Sequence, residues 1–137
     1  MKRFLTLSLL LASLFLLIIG AKFSLIATYG SDLPYWDQWD GEAANLYRPY
    51  LQGKLGVGQL FSAHNEHRIF FTRLFALGLL EINDRQWDAR LETVANALLH
   101  ASVALLLAAL ALQVLPAGRA AIFMGLTAIF FGTSVSY

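Results

Sequence analysis

Residues 93–115 read TVANALLHASVALLLAALALQVL, a run of 23 residues that contains no Asp, Glu, Lys or Arg. Two further uncharged apolar runs lie on either side of it in the chain, at residues 4–21 and 120–137. A helix of about 20 residues crosses the hydrocarbon core of a bilayer, which is about 30 Å thick, because each residue adds about 1.5 Å. The three runs therefore predict an all-α membrane protein with three transmembrane helices.

The composition favours the same class. The 137-residue chain is 58% hydrophobic and 14% charged, whereas an ordinary soluble domain is about one-quarter charged. The net charge of +1 predicts no nucleic-acid partner, so the lipid bilayer is the first partner that we expect. The sequence contains no Cys, which excludes disulfides and thiolate metal sites.

We interpret residues 1–137 as one membrane domain, with spans at about 4–27, 93–115 and 120–137. The first apolar run is longer than the hydrophobic region of a signal peptide, which is about 7–15 residues. We therefore expect an uncleaved helix, and cleavage would still leave the two later spans. The third run is apolar up to Tyr137, so the chain is expected to be the amino-terminal part of a longer polytopic protein, whose remaining helices would be its partners.

The long loop at about 28–92 carries most of the charged residues. Basic residues at the amino terminus and in the short turn at 116–119 favour a cytoplasmic position for those parts, which places the loop outside the cytoplasm. The loop is too hydrophobic to be a disordered connection. Two helices lying on the membrane surface are predicted instead, at about 40–51 and 63–82, where apolar residues recur at three- and four-residue spacing.

The first candidate site is LPYWDQWDGE at residues 33–42. Asp37 and Asp40 are three apart and would share one face of a helical turn, with Trp36 and Trp39 on an adjoining face. A carboxylate at a membrane surface is suited to act as a general base. Two structural roles remain open, since the carboxylates would also cap a helix and the indole rings would also anchor the water interface.

The second candidate site is SAHNEHR at residues 62–68. On a helix, His64, His67 and Arg68 would share a face. The spacing differs from that of zinc proteases, whose histidines are four apart. A metal site formed by the two histidines and a carboxylate such as Asp37 stays open, as does a polar helix face against lipid headgroups.

Together the two segments suit one reaction, the transfer of a sugar from a lipid phosphate to a hydroxyl. Asp37 or Asp40 would accept the proton of the hydroxyl. Arg68, with Arg73 or Lys54, would hold the phosphate. The phosphate leaves as an anion, so the reaction needs no dedicated general acid.

The motifs PYWDQW at residues 34–39 and HNEHRI at 64–69, with Trp87, resemble those of a largely uncharacterised family of bacterial polytopic membrane proteins. That family is similar to the GT-C class of integral-membrane glycosyltransferases. The resemblance covers most of the chain and implies the amino-terminal part of a GT-C fold in the bacterial inner membrane. In this class an essential acidic residue follows the first helix, and two helices on the membrane come after it.

The resemblance also implies roles for individual residues. Asp37 is the first choice for the catalytic base and Asp40 the second. The donor in this class is usually a polyprenyl-phosphate sugar, and some members need a divalent metal ion, which is the only cofactor that the resemblance suggests. The candidate substrate-binding residues are His64, His67, Arg68, Arg73, Trp36 and Trp39.

Two other functions remain open from the sequence. The first is a non-catalytic membrane protein, such as a transporter or an assembly subunit, in which charge inside the spans would be expected, and we count only His100 there. The second is a metal-dependent membrane hydrolase that uses His64 and His67. Because GT-C enzymes have many more helices, a chain of this length is not expected to be active alone.

Overall fold

The structure is a computed structural model that describes residues 2–64 and 67–134, and the side chains of residues 5–63 and 69–134. The described residues are almost entirely helical, which confirms the all-helical class. In chain order the elements are α1 (Lys2–Tyr29), a π-helix (Trp39–Tyr47), α2 (Arg48–Leu51), α3 (Val57–Leu60), β1 (Ala63–His64), β2 (His67–Arg68), α4 (Phe70–Ile82), α5 (Ala89–Val114) and α6 (Ala117–Thr133).

The contacts of the chain divide it into two compact units. The helical unit comprises Met1–Gly30 and Thr93–Tyr137, and the loop unit comprises Ser31–Glu92. The division follows composition, because the helical unit contains the three apolar runs and the loop unit contains most of the charged residues.

Within the described part of the chain, two helices are long and apolar enough to cross a membrane, Leu5–Tyr29 with 25 residues and Ala89–Val114 with 26. They coincide with the first and second predicted spans. The apolar helix α6, Ala117–Thr133, is shorter, with 17 residues. The third span therefore stays a prediction.

The core of the helical unit is built on alanine. Ala101, Ala104 and Ala108 of α5 are fully buried and pack with Leu14 and Ile18 of α1. These alanines are three and four residues apart, so they form one stripe along α5. Small side chains allow two helices to approach closely, which is how apolar helices associate where burial from water cannot drive them together.

The first predicted span, at about 4–27, contains Lys22 as well, so the expectation that only His100 is ionisable inside the spans was wrong. Lys22 lies within α1 and is 2% exposed. Its Nζ donates a hydrogen bond to the main-chain oxygen of Ser134 at 2.9 Å and lies 3.4 Å from Nδ1 of His100. The helix ends before Gly30, where a Cβ atom would collide with the carbonyl oxygen of Ile26.

The loop unit has its own core, in which Leu46 and Tyr47 of the π-helix pack with Ala76 and Leu80 of α4. The helix predicted at 40–51 is present as the π-helix followed by α2. The first of these helices differs from the prediction in backbone hydrogen bonding, because a π-helix bonds i to i+5 instead of i to i+4.

The helix predicted at 63–82 is wrong in its first part. It begins at Phe70, because residues before it pair as antiparallel strands, Ala63 with Arg68 and His64 with His67. The rings of Phe61 and Phe70 stack with centroids 4.2 Å apart across this turn. Ring stacking and strand pairing together favour a reversal of the chain over a continuous helix.

Candidate functional site

The candidate site lies in the loop unit around Glu92, in the first turn of α5. Glu92 is 8% exposed, and its carboxylate accepts hydrogen bonds from three donors on separate segments. The Tyr47 hydroxyl and Nε1 of Trp87, at 3.0 Å, donate to Oε1, and Nε2 of Gln38 donates to Oε2 at 3.3 Å. These three donors offset the loss of water around the buried carboxylate.

A second carboxyl group, that of Glu42, hydrogen-bonds to Glu92. Burial and the nearby charge of Glu92 raise the pKa of Glu42 to about 8, so Glu42 is mainly protonated at neutral pH. Nε2 of Gln38 donates to Oε2 of Glu42 at 3.3 Å and thus bridges the two acids. Burial and the same carboxylate also raise the pKa of Tyr47, which keeps its hydroxyl a donor.

The π-helix explains how these side chains meet. Gln38, Glu42 and Tyr47 are four and five residues apart, and i→i+5 bonding widens each turn so that such spacings fall on one face. In an α-helix, with about 3.6 residues per turn, residues five apart point in different directions. A π-helix is rare and occurs frequently at functional sites.

Three aromatic rings pack together next to Glu92. The rings of Trp39 and Tyr47 each lie 5.4 Å from that of Trp87, measured between centroids. Trp39 meets Trp87 edge to face, an arrangement that aromatic quadrupoles favour. Two of these rings, those of Tyr47 and Trp87, carry the donors that bond to Glu92.

Of the two predicted catalytic acids, Asp37 lies in the turn before the π-helix and Asp40 lies in the first turn of that helix, and both are exposed. The carbonyl of Asp37 accepts the amides of Asp40, at 3.1 Å, and Gly41, at 2.7 Å. The charge of Asp37 also helps to raise the pKa of Glu42, which places its carboxylate near the acid pair. The carbonyl of Asp40 accepts Nδ2 of Asn45 at 2.6 Å.

The predicted substrate contact Trp36 directly precedes Asp37 and has a φ of 41° with 82% of its surface exposed. A bulky residue rarely adopts a positive φ, and such strain is found at functional sites. Trp39, the other predicted contact, is 53% exposed, so both indole rings present surface to a ligand or a lipid.

Arg73 is held inside the loop unit, with 4% of its surface exposed. Its Nη1 donates to the main-chain oxygens of Gln59 at 2.8 Å, Leu60 at 3.1 Å and Ser62 at 2.6 Å. Arg73 thus stabilises the segment that precedes β1. Its predicted contact with substrate stays a prediction.

The other predicted phosphate contacts, His64, His67 and Arg68, have side chains outside the described residues. Among the side chains that are described, no group of three or more His, Cys, Asp or Glu residues is arranged to hold a metal ion. The metal site that combines His64 and His67 with a carboxylate is therefore untested.

Comparison with known proteins finds no family model, no curated protein and no solved structure that matches this chain. The function of this chain is therefore inferred from its own residues.

Sequence reasoning gave no site role to Glu92 or Tyr47, nor to Gln38 and Glu42, although the last two lie within the first motif. One signal was available, because Glu92 directly precedes the uncharged run of 23 residues at 93–115. An acid at the edge of an apolar helix needs donors to offset the loss of water around it. The identity of those donors could not be read from the spacing.

Proposed function

We propose that this chain forms the amino-terminal part of a GT-C-like membrane glycosyltransferase, with three spans and the loop unit on the external side of a bacterial inner membrane. The enzyme moves a sugar from a polyprenyl-phosphate donor to an acceptor hydroxyl. The observation that carries the proposal is the exposed Asp37 beside the half-buried Glu42 and the buried Glu92. In sequence, this loop lies between two helices of membrane-spanning length.

In the proposed reaction the acceptor oxygen attacks the anomeric carbon of the donor sugar. Asp37 takes the proton of the acceptor hydroxyl while the bond between the anomeric carbon and the phosphate oxygen breaks. The lipid phosphate leaves as an anion and carries away the electron pair. Arg68 and the exposed Lys54 are the cations proposed to hold it.

The environments of the acids support Asp37 as the base. Glu42 holds its proton at neutral pH, because its pKa is raised to about 8, and it therefore cannot accept another. Glu92 is buried and already accepts three hydrogen bonds. Asp37 and Asp40 are exposed, and Asp40 is the second choice because Asp37 is the one whose charge acts on Glu42.

Substitution of Asp37 with Asn tests this proposal in membranes that contain the full-length gene product. We expect transfer of labelled sugar from a polyprenyl-phosphate donor to fall at least about 100-fold, the contribution of a general base. Accumulation of the protein should not change, because Asp37 is exposed and Asn keeps its shape. Asp84→Asn is the matched control, since Asp84 is exposed with a φ of 51° that Asn tolerates. Undiminished transfer by Asp37→Asn would reject Asp37 as the base.

A transporter is the second candidate, favoured by Lys22 beside His100. Ionisable residues inside membrane helices mark ion and proton pathways, and Lys22 lies in a helix long enough to span. This candidate predicts that the reconstituted full-length protein moves protons across vesicles and that Lys22→Met abolishes the movement. Lys54→Met, which changes an exposed lysine, is the control. Absence of proton movement by the unsubstituted protein would rule the transporter out.

A further inference from the structure

We infer that Glu42 and Glu92 share a single proton, and that this proton holds in place the turn that carries Asp37. The sharing of the proton is inferred from the closeness of the two acids, which accept from the same Gln38 nitrogen at 3.3 Å each. The positioning of a base rests on the proposed function. Glu42 and Glu92 are accordingly positioning residues, since neither is proposed to touch the substrate.

The contact between the two acids requires a proton. Two carboxylates in hydrogen-bonding contact repel each other strongly, and one of them must be protonated for the bond to form. Glu92 accepts three other hydrogen bonds and is the better acceptor. Glu42 is therefore the donor of the pair, and loss of its proton would place two negative charges side by side in a half-buried position.

Gln38 connects this pair to the turn. Its Nε2 donates to both acids at 3.3 Å, while its Oε1 accepts the main-chain amide of Tyr35 at 2.7 Å. Trp36 and Asp37 lie between Tyr35 and Gln38 in the sequence. The hydrogen bond from the Tyr35 amide to the Gln38 side chain therefore joins the two ends of the turn. Displacement of Gln38 by repulsion between the acids would release the strained Trp36 and, with it, Asp37.

The charged groups around Glu42 all raise its pKa, whereas the hydrogen bond from Gln38 acts in the opposite direction. Glu92 at the start of α5 and Asp37 in the preceding turn are acids whose charges raise the pKa of Glu42. Tyr47, on the same π-helix, also faces it and holds its own proton. Among the described side chains, the charged groups that act on Glu42 are thus all acidic, and none stabilises its ionised form.

The sign of the pH dependence follows from these groups. The carboxyl of Glu42 loses its proton near pH 4.5 in an unfolded chain and near pH 8 in the folded one. The folded state therefore binds more protons between these values, and the stability that the pair contributes falls as the pH rises through this window. Above about pH 8 the bond between the acids is lost and the turn is expected to loosen.

Tryptophan fluorescence of the purified full-length protein tests the inference without any substrate. Trp87 donates to Glu92, and Trp39 packs on Trp87, so their emission should change with a midpoint near pH 8. Glu42→Gln keeps a neutral hydrogen-bond donor and should abolish this transition. Glu81→Gln is the matched control, because Glu81 is an exposed acid of the same unit, paired with Arg85 at 2.8 Å. The Glu81→Gln protein should show the same fluorescence transition as the unsubstituted protein.

Two results would overturn the inference: no transition in the unsubstituted protein, or the same midpoint in Glu42→Gln. If Glu42→Gln does not accumulate, Glu42→Asp should show a displaced midpoint, and an unchanged one would again reject the shared proton. In the transfer assay, Glu42→Gln should remove the loss of activity near pH 8. A fluorescence transition that depends on Glu42, in a protein that transfers no sugar, would leave the shared proton in place and reject the glycosyltransferase.

Discussion

Replacement of Glu92 with Ala is expected to lower the free energy of unfolding by about 3 kcal/mol or more, because it leaves Tyr47, Trp87 and Gln38 without their common acceptor. Each buried donor left without a partner costs about 1–3 kcal/mol, and part of this is recovered when water or other groups move in. Glu42 would lose its acceptor as well. The measurement is reversible denaturation of the full-length protein in detergent, followed by tryptophan fluorescence.

Two further variants serve as comparisons for Glu92→Ala. Glu92→Gln preserves the shape of the side chain but turns an amide donor toward a set of donors, so it should also be destabilising. Glu81→Ala removes an exposed acid that pairs with Arg85 four residues later, and such a pair contributes only about 0.3–0.5 kcal/mol. Equal stabilities for the Glu92 and Glu81 variants would contradict the hydrogen-bonding role of Glu92.

The second large effect is expected at Arg73. Arg73→Ala removes a buried guanidinium that donates to three main-chain oxygens between Gln59 and Ser62. Hydrogen bonds from a charged donor contribute about 1.5–3 kcal/mol each, so a loss of about 3 kcal/mol is expected after relaxation. Hydrogen exchange should increase locally at residues 59–62. This local increase would distinguish the loss of the Arg73 hydrogen bonds from a general destabilisation.

Arg73→Lys is the informative companion. A lysine keeps the charge but has no planar fork with several fixed donors, so it should recover only part of the stability. Arg85→Ala, which changes an exposed arginine of the same unit, is the control and should have little effect. A fully stable Arg73→Lys protein with normal exchange at residues 59–62 would show that charge alone, without the fixed geometry, is sufficient.

The extent to which the fold could be predicted differs between the two units. The first and second apolar runs predicted α1 and α5 well, because a membrane-length helix depends on composition over consecutive residues. The predictions failed in the loop unit, where the start of a helix depends on tertiary contacts. The helix predicted from residue 63 begins at Phe70, since stacking of Phe61 on Phe70 and the bonds of Arg73 are contacts that helical periodicity does not contain.

The candidate site could be predicted only in part. The motif at residues 33–42 contains the turn that holds Asp37, and its concentration of acids and indoles after an apolar helix is visible in the sequence. The faces assigned to it were those of an α-helix. The observed π-helix brings Glu42 and Tyr47, five residues apart, to the same side, and no residue in the segment marks that change of hydrogen bonding.

By itself, the sequence determined the helical class, the two helices of membrane-spanning length and the acidic turn that separates the first of them from the rest of the loop. These features depend on local composition, so they need no knowledge of the fold. Only the tertiary structure decided that Glu42 meets Glu92, 50 residues away in the chain. The proton affinity of Glu42 arises from that contact and from burial, because desolvation and charge repulsion act through space and have no counterpart in an extended chain.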